Sequence, residues 1–288
     1  MLATFYPNAH KFLAKTQAIL EANEAANNLI LGLTLRVNHY LPLAQHPPYF
    51  ATITHHDELL LAAIMTPPRP MVLYTRLSDW REALNLFIQE AALRQWPVFG
   101  ITGPPPLSEA FAVAWASLTG TTYRVQIRNR LYELRRVNSI PSVPGYLRLA
   151  TAADLELIAQ WTFAFQTEAL QRGDLAEAHE VARYKISEQE LYLWEDGQPV
   201  CMAGQSRPTR NGICISLVYT PPEWRGRGYA TACVAGLSQL LLDSGRKFCV
   251  LFTDLANPTS NHIYQTIGYK PIGDFTEYAF EKAGASPL

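Results

Sequence analysis

One stretch constrains this chain more than any other: Ile213–Thr231, ICISLVYTPPEWRGRGYAT. Ile213, Ile215, Leu217 and Tyr219 share one parity, and Cys214, Ser216 and Val218 take the other. A nearly continuous apolar run with β-branched residues predicts a strand buried on both faces. Pro221 and Pro222 end it, because proline has no N–H for a ladder hydrogen bond. Arg225-Gly226-Arg227-Gly228 then brings a backbone without Cβ atoms at two positions to the start of a helix. The unpaired N–H groups of a first helical turn, and the helix dipole, favour an anion there. Two arginines add charge that does not titrate away. The local chemistry describes a phosphate or pyrophosphate cradle.

An isolated G-x-G is commonly only a surface turn. Here a strand precedes it, arginines lie inside it, and a well-patterned helix follows. Tyr229, Cys233, Leu237, Leu240 and Leu241 form an apolar stripe at three- and four-residue spacing, and Ser244-Gly245 supplies a stop.

The 288 residues suffice for two domains. With 48% hydrophobic and 17% charged residues the chain is expected to fold rather than remain disordered. A formal net charge of −1 and the lack of a Lys/Arg run argue against a nucleic-acid partner. The beginning lacks a signal-peptide pattern, and Leu59–Met65 is too short to span a bilayer, so a soluble, cytoplasmic protein without a membrane partner is expected. Cys201, Cys214, Cys233 and Cys249 contain no C-x-x-C pair. They read as buried, reduced and structural, and no metal is expected.

In chain order, His10–Gly32 carries a helical pattern and Asn38–Pro48 is polar and proline-marked. Tyr49–Thr54 and Leu59–Thr66 read as strands joined by His55-His56-Asp57-Glu58, a turn rather than a metal site, since no third ligand stands nearby. Met71–Thr75 is a strand, Asp79–Gln95 a helix capped by Ser78, Val98–Thr102 a strand, Pro104–Thr119 a loop and helix, and Thr121–Val137 a β-segment. NSIPSVPG, 138–145, has linker composition. It divides the chain into an N-terminal domain, 1–137, and a C-terminal domain, 146–288. After it come strand Tyr146–Leu149, a capping box at Thr151–Asp154, helix over Ala152–Gln189 broken near Arg172-Gly173, and a hairpin, Glu190–Trp194 with Pro199–Arg207, around Asp196-Gly197. Strand Lys247–Thr253 precedes Asn257-Pro258, a cap followed by proline at the first helical position. That helix carries Ser260, Tyr264 and Ile267 on one side and ends at Gly268, and strands Tyr269–Ile272 and Thr276–Phe280 finish the chain.

The halves repeat one layout: helices, hairpin, strand, helix, strand, helix, strand. The echo fails at Arg76-Leu77-Ser78-Asp79, which has no glycine pair and carries an acid where the other half has its cradle. The first copy is therefore not expected to bind a dinucleotide.

The second half resembles the GNAT superfamily of N-acetyltransferases. Arg225-Gly226-Arg227-Gly228-Tyr229-Ala230 fits that family's Q/R-x-x-G-x-G/A signature, and Asn257 through Tyr264 to Gly268-Tyr269 resembles its second conserved segment. The resemblance covers about residues 146–280, while the first half is similar in layout only. It implies an α/β (α+β) fold of two tandem GNAT-like domains, each a mixed, mostly antiparallel sheet flanked by helices, the C-terminal one with a splayed central strand. It also implies acetyl-CoA as donor. Val218, Tyr219 and Thr220 would meet the pantetheine arm, and the loop from Arg225, Gly226, Arg227, Gly228 and Tyr229 to Ala230 and Thr231 would take the pyrophosphate. Asn257 would be a cofactor contact or only a helix cap, with Ser260 beside it. Tyr264 matches the family's acid for the departing thiolate, its alternative being a packing tyrosine.

The general base is not assigned. Cys214, Ser216 and Val218 occupy the strand face where many relatives carry a carboxylate, leaving Glu168, Glu180, Glu223 or a water relay. No cysteine sits beside a histidine in a nucleophile motif, so direct attack in a ternary complex is expected over an acetyl-cysteine route. The resulting expectation is an N-acetyltransferase acting on a primary amine of a small molecule or peptide, as monomer or homodimer. The alternatives are a silent acyl-CoA sensor and a tandem GNAT-fold transferase with another acyl donor. A Rossmann oxidoreductase fits poorly, because Thr231 stands where the third glycine belongs and the loop comes late in the chain.

Overall fold

The computed structural model describes residues 1–40, 47–170 and 173–282. Part of the proline-marked section 38–48, and the helix break placed near Arg172, lie outside them. The chain forms two compact units. The first comprises Met1–Leu131, Thr253–Ala256 and Ile272–Leu288; the second comprises Tyr132–Phe252 and Asn257–Pro271.

The first unit holds strands β1 (Leu2–Tyr6), β2 (Tyr49–His55), β3 (Glu58–Met65), β4 (Met71–Tyr74), β5 (Gly100–Gly103) and most of β6 (Thr121–Leu134). Its helices are α1 (Ala9–Glu21), α2 (Asn28–Tyr40), α3 (Arg81–Leu93) and α4 (Pro105–Thr119). His56 and Asp57 both take positive φ, 48° and 63°, the geometry of a two-residue hairpin turn. The helical pattern over 10–32 resolves into two helices, and α3 begins after Trp80 without a side-chain cap, so Ser78 is not its cap. One apolar cluster joins the sheet to α3 and α4 through Phe87 and Phe111; another, around Phe12, Leu31 and Phe50, covers the opposite face.

The second unit repeats that plan. It contains β7 (Tyr146–Leu149), β8 (Leu191–Glu195), β9 (Pro199–Ser206), β10 (Gly212–Tyr219) and β11 (Phe248–Asp254, to residue 252). Its helices are α5 (Leu155–Leu170), α6 (Leu175–Ser187), α7 (Tyr229–Asp243) and α8 (Pro258–Ile267). The cluster on one sheet face takes Cys233, Leu237 and Leu241 from α7 and Tyr264 and Ile267 from α8; that on the other takes Ile158 and Trp161 from α5 and Ala182 from α6.

The units are not divided where the sequence composition suggests. The last strand, β12 (Lys270–Lys282), enters the first unit at Ile272 and pairs antiparallel with β5, Thr276 against Gly103 and Tyr278 against Ile101. The strand order there is β1-β2-β3-β4-β5-β12-β6, and in the second unit β6-β11-β10-β9-β8-β7. The segment 138–145 packs within the second unit: Asn138 N–H donates to the Ile267 carbonyl at 2.8 Å, and Trp194 Nε1 donates to the Pro144 carbonyl at 2.8 Å. Gly145, at φ 108°, lies where a Cβ would stand 2.4 Å from the Glu195 carbonyl oxygen.

A polar knot fixes β7 to the helical region. Arg148 donates from Nη1 and Nη2 to both oxygens of Asp154, at 2.8 and 2.7 Å, and from Nε to Glu195. The Thr151–Asp154 capping box is present. The Arg148 guanidinium, with the Thr151 amide and hydroxyl, holds the Asp154 carboxyl down to about 2 against the opposing effect of burial. A carboxyl more acidic in the folded state stabilises the fold fully above its unfolded pKa of about 3.9 and loses that contribution as pH falls through about 2. Asp154→Asn is expected to cost about 2 kcal/mol at pH 7, shrinking to roughly half at pH 3. Urea denaturation of both proteins at the two pH values measures this, and an unchanged difference at pH 3 would refute it.

Candidate acyl-donor site

The strand that opens the motif does not keep one parity. Ser216 faces Gly204 and Tyr219 faces Met202, so β10 carries one residue more than β9 over this interval. Leu217 sits in the bulge at φ 53°, a costly conformation for a branched side chain. Faces therefore switch: Ile213, Ile215 and Val218 join the cluster under α7, while Leu217 and Tyr219 join the one under α5. The alternation expected from sequence holds only up to the bulge. Beside it the strand parts from its parallel neighbour. Pairing of β10 with β11 runs from Gly212–Phe248 to Cys214–Val250, although β10 continues to Tyr219 and β11 to Asp254. The splay is thus observed, and it leaves the backbone of residues 216–219 without a β11 ladder.

The chain then makes a 3-10 turn at Pro222–Trp224 and reaches the loop. Gly226 and Gly228 take φ of 75° and 82°, values available cheaply only to glycine. Gly228 is the N-cap of α7, which has no side-chain cap hydrogen bond. Position in the first turn leaves the amides of Tyr229, Ala230 and Thr231 without an intrahelical carbonyl partner. The side chains around this cradle are already distributed. Tyr229 is buried and its hydroxyl donates to Asp196 Oδ2 at 2.6 Å, so its backbone faces the loop task and its ring the core. Arg225 donates from Nε to the Thr220 carbonyl at 2.9 Å and from Nη2 to Glu168 Oε2 at 2.7 Å. Arg227 lies over the Trp224 ring, 4.9 Å from its centroid, and forms no ion pair among the described residues. Thr220 hydrogen-bonds Cys201 Sγ at 3.2 Å.

The second conserved-looking segment supplies Tyr264. Asn257 Oδ1 accepts from the Ser260 amide at 3.0 Å, so this oxygen serves as the helix cap, and Ser260 contributes its amide to that bond. Tyr264 is 8% exposed and shares one apolar cluster with Val218, Tyr229 and Ala230. Burial pushes its phenol well above the ordinary tyrosine value, and Cys201 and Cys214 nearby push it further. No described residue hydrogen-bonds its hydroxyl. A residue without a sequence signal helps hold it. Tyr132 of β6 is fully buried, with its ring 6.5 Å from that of Tyr264. Its hydroxyl donates to Asn261 Oδ1 at 2.8 Å and accepts from Gln265 Nε2 at 3.2 Å. Tyr269 closes the other side at 6.0 Å, its own hydroxyl bonded to Ser238.

The candidate bases fare differently. Both Glu168 oxygens are engaged, one by Arg225 and one by the Tyr219 hydroxyl at 3.0 Å. Glu180 pairs with Arg183 on α6, and Glu223 is exposed in the 3-10 turn. The four cysteines are buried and unbridged; burial pushes the Cys249 thiol up to about 12, and hydrogen bonding to Cys201 with burial raises Cys233. Thiols held neutral in this way are poor nucleophiles. Among the described residues no group of three His, Cys, Asp or Glu could hold a metal ion, and no helix is long and apolar enough to cross a membrane.

Comparison with known proteins agrees with this geometry. The FR47-like protein family matches residues 200–279, which span β9 through most of β12. An acetyltransferase from the GNAT family of Colwellia psychrerythraea superposes over 98% of this chain and 100% of its own, at 13% identity and a TM-score of 0.59. A GCN5-related N-acetyltransferase from Sphaerobacter thermophilus covers 99% and 98%, at 14% and 0.63. A tandem GNAT protein from the clavulanic acid biosynthesis pathway covers 99% and 100%, at 14% and 0.54. No curated protein matches the sequence. The fold is that of the GNAT superfamily, and it occurs in tandem along this chain.

Proposed function

We propose that the protein is an acyl-CoA-dependent N-acyltransferase, with acetyl-CoA as donor and a primary amine of a small molecule or peptide as acceptor. The observation that carries this reading is the coincidence of three features: the β10–β11 parting, the bulge beside it, and a two-glycine loop at an uncapped helix N-terminus. The parted strand offers amides and carbonyls to an extended amide-bearing arm, and the loop offers amides and Arg227 to phosphates. Residues 218–220 and 225–231 would hold the donor, which supplies the activated acyl group. The protein's own part is to orient it, to polarise the carbonyl through a strand amide near Val218, and to present the Tyr264 hydroxyl as a hydrogen-bond donor.

Acetyl-CoA at 100 times its Kd is expected to stabilise the protein by about 2.7 kcal/mol, a rise in Tm that differential scanning fluorimetry resolves. Release of free thiol with a panel of amines then tests turnover. No stabilisation by acetyl-CoA or CoA at millimolar concentration would sink the reading. A second reading, a catalytically silent acyl-CoA sensor, is favoured by one observation: Glu168, which hydrogen-bonds Tyr219 of β10, has both oxygens engaged and is thus unsuited as a base. Donor binding without turnover on the whole panel would select it.

A further inference from the structure

Two arginines flank Gly226, and the structure treats them differently. Arg225 is tied down twice, to the Thr220 carbonyl at the end of the strand and to Glu168 on α5, and its guanidinium lies 5.6 Å from the Tyr219 ring centroid. The other Glu168 oxygen accepts from the Tyr219 hydroxyl at 3.0 Å. One carboxylate thus bridges the last residue of β10 and the first residue of the loop, across a 3-10 turn that has no side-chain cap of its own. Arg227 has no carboxylate partner among the described residues.

We propose that Glu168 is a positioning residue for the phosphate loop: by holding Tyr219 and Arg225 together it presets the backbone from Arg225 to Gly228 in its anion-receiving shape. This rests on the acyl-CoA reading. The arginine in the motif's leading position is then a strut, and Arg227 is the cation presented to the ligand. Two opposed effects decide what removing Glu168 does. A carboxylate near the phosphates repels them, so its loss by itself favours binding. Its charge is half-exposed and screened, with a side chain 46% accessible, which makes that gain small. Loss of the Tyr219 hydrogen bond and the Arg225 ion pair, which together pre-organise the loop, acts the other way. The second effect dominates.

The experiment is CoA titration by calorimetry together with steady-state kinetics. Glu168→Ala is expected to raise the Kd for CoA about tenfold, and KM for acyl-CoA in parallel, with kcat changed less than twofold. Glu168→Gln, which keeps an acceptor for Arg225, is expected to recover binding to within threefold of the native protein. Faster amide exchange across 225–229 in unliganded Glu168→Ala should accompany the loss, with no comparable change in α6. Equal or tighter CoA binding by Glu168→Ala would overturn the proposal, as would a Glu168→Gln defect as large as that of alanine. Failure of the native protein to bind CoA would instead defeat the acyl-CoA reading. In that case the exchange comparison still decides whether Glu168 positions the loop.

Discussion

Tyr264→Phe is expected to lower kcat about a hundredfold while leaving the Kd for acetyl-CoA within twofold. Removing a positioned proton or hydrogen-bond donor typically costs 10²–10⁴-fold, and this side chain belongs at the low end of that range. Burial raises its phenol well above the ordinary value, whereas a thiol titrates near 8.5. Full transfer of the proton to a leaving thiolate would therefore run uphill. On the acyl-CoA reading, the hydroxyl would supply a charge-assisted hydrogen bond to the departing sulfur, worth about 1.5–3 kcal/mol. Two further outcomes distinguish this role from packing. Folding stability should not fall, because the hydroxyl has no partner among the described residues to lose. The pH profile of kcat should show no limb from this phenol up to about pH 10, since the shift is upward. A Tyr264→Phe enzyme with native kcat would reduce the residue to a packing role.

Gly228→Val should abolish measurable binding of CoA, with Kd raised at least a hundredfold. At φ 82° a β-branched residue pays about 1–2 kcal/mol merely to adopt the conformation. A Cβ there would also stand 3.1 Å from Val143 Cγ2, so that side chain or the loop must give by a few tenths of an ångström. Because Gly228 is the N-cap of α7, a shift misdirects the first-turn amides that the ligand needs. Gly226→Ala is the control: its φ is 75°, but a Cβ would meet nothing within 4 Å, so a milder loss is expected. Native affinity in Gly228→Val, measured by calorimetry, would mean that the anion binds elsewhere.

Much of this was legible in the residues. The loop could be read because its chemistry is local: two glycines, a strand cut by prolines and a patterned helix are neighbours in sequence. The cap at Asn257, the capping box at Thr151–Asp154, the turn at His56-Asp57 and the repeated layout were legible for the same reason. The bulge was not. One extra residue on β10 depends on the register with β9, which alternation within one strand does not contain, and it reassigns Leu217, Val218 and Tyr219 between faces. Tyr132 carried no signal either, since RLYEL is an unremarkable β-pattern until its strand is placed in the second unit's core.

The sequence by itself determined the glycine loop at the start of α7 and the cap at Asn257, because helix caps, glycine φ values and proline breaks are set by residues a few positions apart. Only the tertiary structure decided that β10 and β11 part after Cys214, that the final strand belongs to the first unit, and that Arg225 pairs with Glu168. Each of these joins residues far apart in the chain. They rest on pairing register, on strand exchange and on a carboxylate 57 positions upstream of its partner, none of which a local pattern encodes.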